Sequence, residues 1–100
     1  MAFVTVARVE DVPPGTIKHV RAGEEEIAVA NVDSEFFVTQ GHCLHLKGPL
    51  GHGELDGPVL SCPWHGWQYD MRTGLNEFDH AIQLRCYKVR VEDGEIQVAI

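Results

Sequence analysis

Apolar and polar residues alternate along both outer thirds of the chain. The segment from Phe3 to Arg8 alternates and is rich in β-branched residues, which is the pattern of a half-buried strand. The turn signal Pro13-Pro14-Gly15 follows it, and Asp93-Gly94 is a strong hairpin signal near the end. Further strands are predicted over 17–21, 26–31, 35–40, 84–92 and 95–100. No segment keeps a helical period, so the pattern predicts an all-β fold, either a sandwich or a barrel.

The middle third, from about 41 to 74, shows no such alternation. It holds seven of the ten glycines, four of the six histidines and both tryptophans. A stretch of this length without secondary structure is normally functional or disordered, and its tryptophans and cysteines argue against disorder. We therefore expect one domain over 1–100, in which something other than regular packing holds this stretch in place.

Size and charge narrow the function classes. A chain of 100 residues makes one domain with one core. Eight basic and 15 acidic residues give a net charge of −7, which is unsuited to binding nucleic acid or anionic membranes. The apolar runs are too short to span a membrane, and no secretory signal is visible, so we expect a cytoplasmic protein. Three cysteines in such a chain argue against a disulfide framework.

Two short motifs combine cysteine with histidine. Cys43 and His45 are separated by one residue, and Cys62 and His65 by two. Two sulfurs and two imidazole nitrogens would satisfy a structural zinc ion, although zinc motifs usually pair cysteine with cysteine. In a Rieske [2Fe–2S] centre two histidines replace two cysteines on one iron, so mixed loops suit it, each giving its cysteine to one iron and its histidine to the other. The spacing favours iron and sulfide and leaves zinc open.

The residues around these motifs resemble the Rieske motif. The likeness is closest over 43–48, 62–70 and 73–74, and in weaker form it covers nearly the whole chain. It implies an antiparallel β-sandwich base carrying a loop-rich cluster-binding subdomain at about 41–74. It also implies one [2Fe–2S] cluster, with Cys43, His45, Cys62 and His65 as the ligands. Four more residues are implied near the cluster, namely Lys47, Trp64, Trp67 and Tyr69.

Within that family the sequence is similar to the small ferredoxins of bacterial multicomponent oxygenases that hydroxylate aromatic rings. This implies a monomeric one-electron carrier, not itself an enzyme, between a flavin-containing NAD(P)H-dependent reductase and a terminal oxygenase. A Rieske-like small subunit of another redox enzyme, such as nitrite reductase, is one alternative, and a zinc-stabilised binding module is another. A catalytic oxygenase subunit would need a 2-His-1-carboxylate iron site in a separate domain, for which the chain is too short. The four histidines outside the cluster motifs are expected to be spread over strands and loops.

The resemblance also bears on the reduction potential. Gly48 and Trp64 stand where respiratory Rieske proteins have two further cysteines joined in a disulfide, and Trp67 stands where they have a serine that donates to a cluster sulfur. Tyr69, the other hydroxyl donor of that pattern, is present. One donor fewer stabilises the reduced cluster less, so the expected potential is near about −150 mV rather than about +300 mV.

Other residues carry plainer expectations. Trp64 and Trp67 either limit water at the cluster or contact a partner there, or they simply pack in the small core. Cys86 lies in a strand-like run and is expected to be a buried, inert thiol. The glutamates at 24–26 are expected to form a solvated turn.

Overall fold

The structure is a computed structural model and describes residues 2–42, 48–63 and 66–100. The described residues form ten strands and two short 3₁₀ turns, at Val9–Asp11 and Leu50–His52. In chain order the strands are β1 (Phe3–Arg8), β2 (Ile17–Ala22), β3 (Glu25–Val32), β4 (Glu35–Gln40), β5 (Glu54–Asp56), β6 (Val59–Ser61), β7 (Gln68–Asp70), β8 (Cys86–Tyr87), β9 (Val89–Glu92) and β10 (Glu95–Ala99). This part of the chain contains no helix long and apolar enough to cross a membrane.

The strands pair into three antiparallel sheets, with orders β1-β10-β9, β2-β3-β4-β8 and β5-β6-β7. The all-β prediction is confirmed, and the structure contains each of the strands predicted in the outer thirds. The segment 84–92, predicted as one strand, is two. Cys86 pairs with Thr39 of β4, whereas Val89 pairs with Val98 of β10, so the chain passes from one sheet to the next near Lys88.

Strand β3 lies between two hydrophobic cores. Because side chains alternate along a strand, Ile27 and Val29 point to one face of the sheet and Ala28 and Ala30 to the other. The outer core lies toward β1 and β10 and contains Val12, Ala22, Ile27, Val29, Val38, Ile96 and Val98. The inner core lies toward β5–β7 and contains Ala28, Ala30, Leu50, Leu60, Cys62, Tyr69, Met71 and Leu84. One sheet thus supports both the sandwich base and the cysteine–histidine region.

The middle third is not structureless, so that expectation is wrong. It contains β5, β6 and β7, and Asp56 and Gly57 form part of the turn between the first two, with Gly57 in the left-handed region at φ 57°. The two residues between the paired ends Asp56 and Val59 are Gly57 and Pro58. Strands of three residues are too short to show an alternating pattern, which is why the sequence pattern misses them.

Close backbone contacts attach this region to the base. The Gly41 N–H donates to the Glu26 carbonyl oxygen at 2.8 Å, and the Leu50 N–H donates to the Gly41 carbonyl oxygen at 2.9 Å. Gly51 lies directly on His19 of β2, where a Cβ atom would overlap the His19 backbone and Cβ. Glycine at 51 therefore sets how closely the turn at Leu50–His52 approaches the middle sheet.

Candidate metal centre

The second cysteine–histidine motif begins where β6 ends. The Cys62 N–H donates to the Trp67 carbonyl oxygen at 2.7 Å, so the loop between them is closed like a hairpin. Gly66 has φ 69°, the left-handed conformation that glycine adopts without strain. Cys62 is 3% exposed and belongs to the inner core with Leu60 and Tyr69. The sheet thus holds this cysteine at a fixed point at the end of two paired strands.

A cavity of about 400 Å³ lies against this cysteine. Among the described residues its walls come from the segment that follows the first motif and from the second motif, and they include His52, Gly53, Glu54, Ser61, Cys62, Pro63 and Gly66. A thiol in the wall of a cavity of this size suits a metal–sulfur group, because thiolate is the soft ligand that iron–sulfur clusters use.

Five of the predicted site residues, Cys43, His45, Lys47, Trp64 and His65, lie outside the described residues. Their assignment as ligands or neighbours of the cluster stays a prediction. Of the remaining three residues, Cys62 follows β6 and lies in the inner core, as described above.

Trp67 and Tyr69 lie on the strand side of the second motif. Trp67 is partly buried and packs against the inner core, which favours the packing interpretation for this tryptophan. Tyr69 is fully buried in β7, opposite Leu60 of β6. Both residues therefore belong to the wall that supports the loop containing Cys62.

A group of three imidazoles and one carboxylate lies at the base of the first motif. The His19 ring makes edge-to-face contacts with the rings of His42 and His52, at centroid distances of 5.6 and 5.8 Å. His19 Nε2 lies 3.1 Å from Glu26 Oε1, and His42 Nε2 lies 3.8 Å from Glu26 Oε2. The hydrogen bond from His19 holds the pKa of the Glu26 carboxyl below its ordinary value, and the electrostatic interaction with the nearby His42 ring adds to this effect. Glu26 thus links β2 and β3 to the residue that precedes Cys43.

This group brings together three of the four histidines outside the motifs, which lie on a strand and on loop or turn segments as expected. The expectation of a turn over 24–26 is wrong for Glu25 and Glu26, which lie in β3. Among the described residues, no group of three or more His, Cys, Asp or Glu side chains is arranged to hold a metal ion. Pairing of β2 with β3 places His19 diagonally across from Glu26. Pairing the two strands that the sequence predicts here in this register would have predicted the contact between His19 and Glu26.

The expectation of a buried thiol at 86 is also wrong. Cys86 lies on the short edge strand β8 and is exposed, with its Sγ 3.7 Å from the Leu84 carbonyl oxygen. Partial desolvation raises the pKa of this thiol. A free, exposed cysteine on an edge strand is a surface group and not a core residue.

Comparison with known proteins gives a consistent answer. The model of the Rieske [2Fe–2S] domain family matches residues 2–88. Ferredoxin CarAc of Metapseudomonas resinovorans is 35% identical, covering 97% of this chain and 92% of that protein. The solved ferredoxin of Sphingomonas yanoikuyae B1 superposes with a TM-score of 0.91 at 33% identity, covering 99% of both chains. A solved complex of reduced oxygenase and oxidised ferredoxin in carbazole 1,9a-dioxygenase contains a chain that is 35% identical, with a TM-score of 0.87 over 97% of this chain and 92% of that one.

Proposed function

We propose, since this chain belongs to the Rieske [2Fe–2S] domain family, that it passes single electrons from a flavin-containing NAD(P)H-dependent reductase to a terminal oxygenase acting on aromatic rings. Its cofactor is one Rieske-type [2Fe–2S] cluster, which sets the zinc alternative aside. The chain is an electron-transfer component and not the enzyme that oxidises the substrate. The 35%-identical relatives, which are ferredoxin components, favour an oxygenase over nitrite reductase as the electron acceptor.

The proposal assigns the ligands as Cys43 and Cys62 on one iron and His45 and His65 on the other. The single observation that supports it best is the position of Cys62, buried at the end of β6 in the wall of the cavity. The bound cluster would supply a reversible one-electron couple in which the neutral imidazoles lower the negative charge carried by the iron pair.

The chain's own residues would hold that couple in place and limit solvent around it. Cys62 is fixed by its backbone hydrogen bond to Trp67 and by the inner core below it. Trp67 and Tyr69 exclude water on the strand side, which leaves the loop side as the direction in which an electron enters and leaves. The single domain over 1–100, a monomeric state and a cytoplasmic location complete the proposal, supported by the acidic, ferredoxin-like chain.

The test begins with the purified protein under anaerobic conditions. We expect two irons and two acid-labile sulfides for each chain and a visible absorption spectrum that bleaches on reduction. Cys62→Ser should lose the cluster, whereas Cys86→Ser, which changes a thiol outside the proposed ligand set, should retain it. Stoichiometric zinc without visible absorption would contradict the proposal.

The second part of the test is transfer to a partner. The reductase and oxygenase components of carbazole and biphenyl dioxygenase systems are suitable probes, because their ferredoxins are related to this chain. NADH-dependent hydroxylation should require the added chain and should stop when the Cys62→Ser variant replaces it. If the chain accepts electrons from the reductase but no hydroxylation follows with either oxygenase, its electron acceptor is a different protein.

A further inference from the structure

The loop after β7 presents a phenylalanine to solvent. Phe78 is 73% exposed, the highest value among the large apolar side chains described, and the next is Val91 at 48%. A phenylalanine that projects this far loses the hydrophobic free energy that burial would give it. Burial of this side chain against another molecule would recover that free energy.

The backbone that carries Phe78 is firmly held. The Asn76 side chain is 1% exposed, and its Oδ1 accepts the N–H groups of Phe78 at 2.8 Å and Asp79 at 3.0 Å. Asp79 in turn accepts the Ala81 N–H at its Oδ1 and the Ile82 N–H at its carbonyl oxygen. Because the loop is already ordered, burying Phe78 against another molecule would cost little backbone entropy.

Backbone contacts connect the segment that carries this phenylalanine to the second cysteine–histidine motif. Asn76 forms a bridge with Tyr69, and the Glu77 N–H donates to the Gln68 carbonyl oxygen at 2.9 Å. The chain then bends at Glu77 and Phe78, so Phe78 lies just beyond this paired segment. Gln68 follows Trp67, whose carbonyl oxygen accepts the Cys62 N–H. Phe78 therefore lies toward the end of β7 at which the loop containing Cys62 begins.

Acidic side chains border the phenylalanine. Glu77 and Asp79 flank it in the chain, and both are exposed. Glu54, also exposed, pairs with Ser61, which pairs with Gln68 in the row that ends at Glu77. An aromatic side chain within a charged border is the composition of a protein-binding hot spot, whose partner needs an apolar pocket edged by Arg or Lys.

We propose that Phe78 is the anchor with which this chain docks on its terminal oxygenase, its ring entering an apolar pocket on the oxygenase that is bordered by basic residues. The inference rests on the proposed function, and it names a contact that the function alone does not specify. A projecting side chain fits a concave protein surface and not a small ligand. The oxygenase is chosen because the related carbazole ferredoxin is found in complex with its oxygenase.

The experiment compares Phe78→Ala with Phe3→Ala, the same truncation on β1 of the base. Each variant is reduced with dithionite and mixed with oxidised oxygenase of the carbazole or biphenyl system, and the transfer rate is recorded against ferredoxin concentration. We expect Phe78→Ala to raise the half-saturating concentration about tenfold or more, with the limiting rate changed less than about twofold. Phe3→Ala should match the wild type. The visible spectrum and reduction potential should be the same in all three proteins.

A second arm tests the acidic border. The double variant Glu77→Gln with Asp79→Asn should weaken the dependence of the transfer rate on salt while leaving the Phe78 effect in place. An unchanged half-saturating concentration for Phe78→Ala, beside a wild type that reduces the oxygenase, would overturn the anchor and leave the proposed function standing. A Phe78→Ala variant that is slower only in accepting electrons from the reductase, and not in reducing the oxygenase, would also overturn the anchor. A wild type that transfers electrons to neither oxygenase would contradict the proposed function, and the anchor with it.

Discussion

The two cores on either side of β3 are built by different means. The outer core is filled mainly by β-branched side chains from strands of five to eight residues, including Ile27, Val29 and Val98. The inner core packs Ala28 and Ala30 of β3 against leucine, methionine, tyrosine and cysteine side chains that come from strands of three residues and from turns and loops. Long strands with alternating side chains fix their own pairing, whereas strands of three residues need support from outside.

That support comes from close packing on the middle sheet. Ala28 and Ala30 are the smallest buried side chains of β3, and they are the ones that face the inner core. Gly41 and Gly51 bring the chain within hydrogen-bonding or van der Waals reach of β2 and β3. The comparison indicates that the base is held by its own hydrophobic pattern and the cluster-binding part by small residues and, in our proposal, by its metal.

Removal of the cluster should produce the largest difference in local stability between the sandwich base and the cluster-binding part. Metal binding contributes folding free energy to the part of a chain that supplies the ligands. In the apoprotein we expect the amide protection of Leu60 and Tyr69 to fall at least about a hundredfold, with that of Val29 and Val38 changing far less. Hydrogen exchange of the holo- and apoprotein measures this. Equal loss of protection in β3 and β6 would show that the two halves fold as one unit.

Two glycine substitutions test how closely the cluster-binding part packs on the sandwich base. Gly51→Ala places a Cβ on the His19 backbone and should cost about 3 kcal/mol, because the backbone of β2 cannot give way without disturbing its pairing with β3. Gly57→Ala is the control: at φ 57° it is strained, but no atom lies within 4 Å, so about 1 kcal/mol is expected. Urea unfolding of the two variants decides the point. A Gly51→Ala variant no less stable than Gly57→Ala would show that the contact between Gly51 and His19 accommodates a methyl group at little cost in stability.

Glu26→Gln tests whether the carboxylate holds the base of the first motif. The pKa of Glu26 is lowered in the folded protein, so its contribution is present above the ordinary value of 4.5 and is lost as pH falls through the folded pKa. The variant should therefore be less stable than the wild type at pH 7, and the difference should shrink below pH 4.5. Urea midpoints across this range are the measurement, with cluster absorbance recorded in parallel. Glu24→Gln, which removes the same charge from an exposed turn, should give no such pH-dependent difference.

Cys86→Ser should have the smallest effect. The thiol lies on edge strand β8, so its replacement should leave the cluster spectrum and the unfolding midpoint unchanged. A thiol reagent should modify about one cysteine in the holoprotein and all three in the unfolded apoprotein, since cluster ligation protects Cys43 and Cys62. Modification at alkaline pH should be slower than for an ordinary cysteine, because the pKa of Cys86 is raised. Three reactive thiols in a protein that retains its cluster would contradict the ligand assignment.

Sequence reasoning succeeded where the side-chain pattern is local. The strands Phe3–Arg8 and Glu35–Gln40 begin and end where the alternation predicts, because each is long enough to show its period. The family was also accessible, because the two cysteine–histidine motifs are short and their spacing is specific. Strands β5–β7 were not predicted, since a strand of three residues is too short to show an alternating pattern.

The remaining misses share one physical cause, which is contact between residues far apart in the chain. Cys86 resembles a core residue in its strand-like run, yet its strand lies at a sheet edge. Glu26 resembles part of an acidic turn, yet it lies within a long strand and beside an imidazole from β2. Neither burial nor partner follows from neighbours in sequence.

The sequence by itself determined the all-β class, the positions of the long strands and the kind of cofactor, because alternation and the ligand motifs with their flanking residues are properties of short segments. Only the tertiary structure decided that β3 supports two cores, that His19, His42 and His52 meet beside Glu26, and that Phe78 projects into solvent just beyond the segment paired with β7. These are matters of register and sheet order. They depend on how the whole chain minimises exposed apolar surface while pairing its backbone, which no single segment encodes.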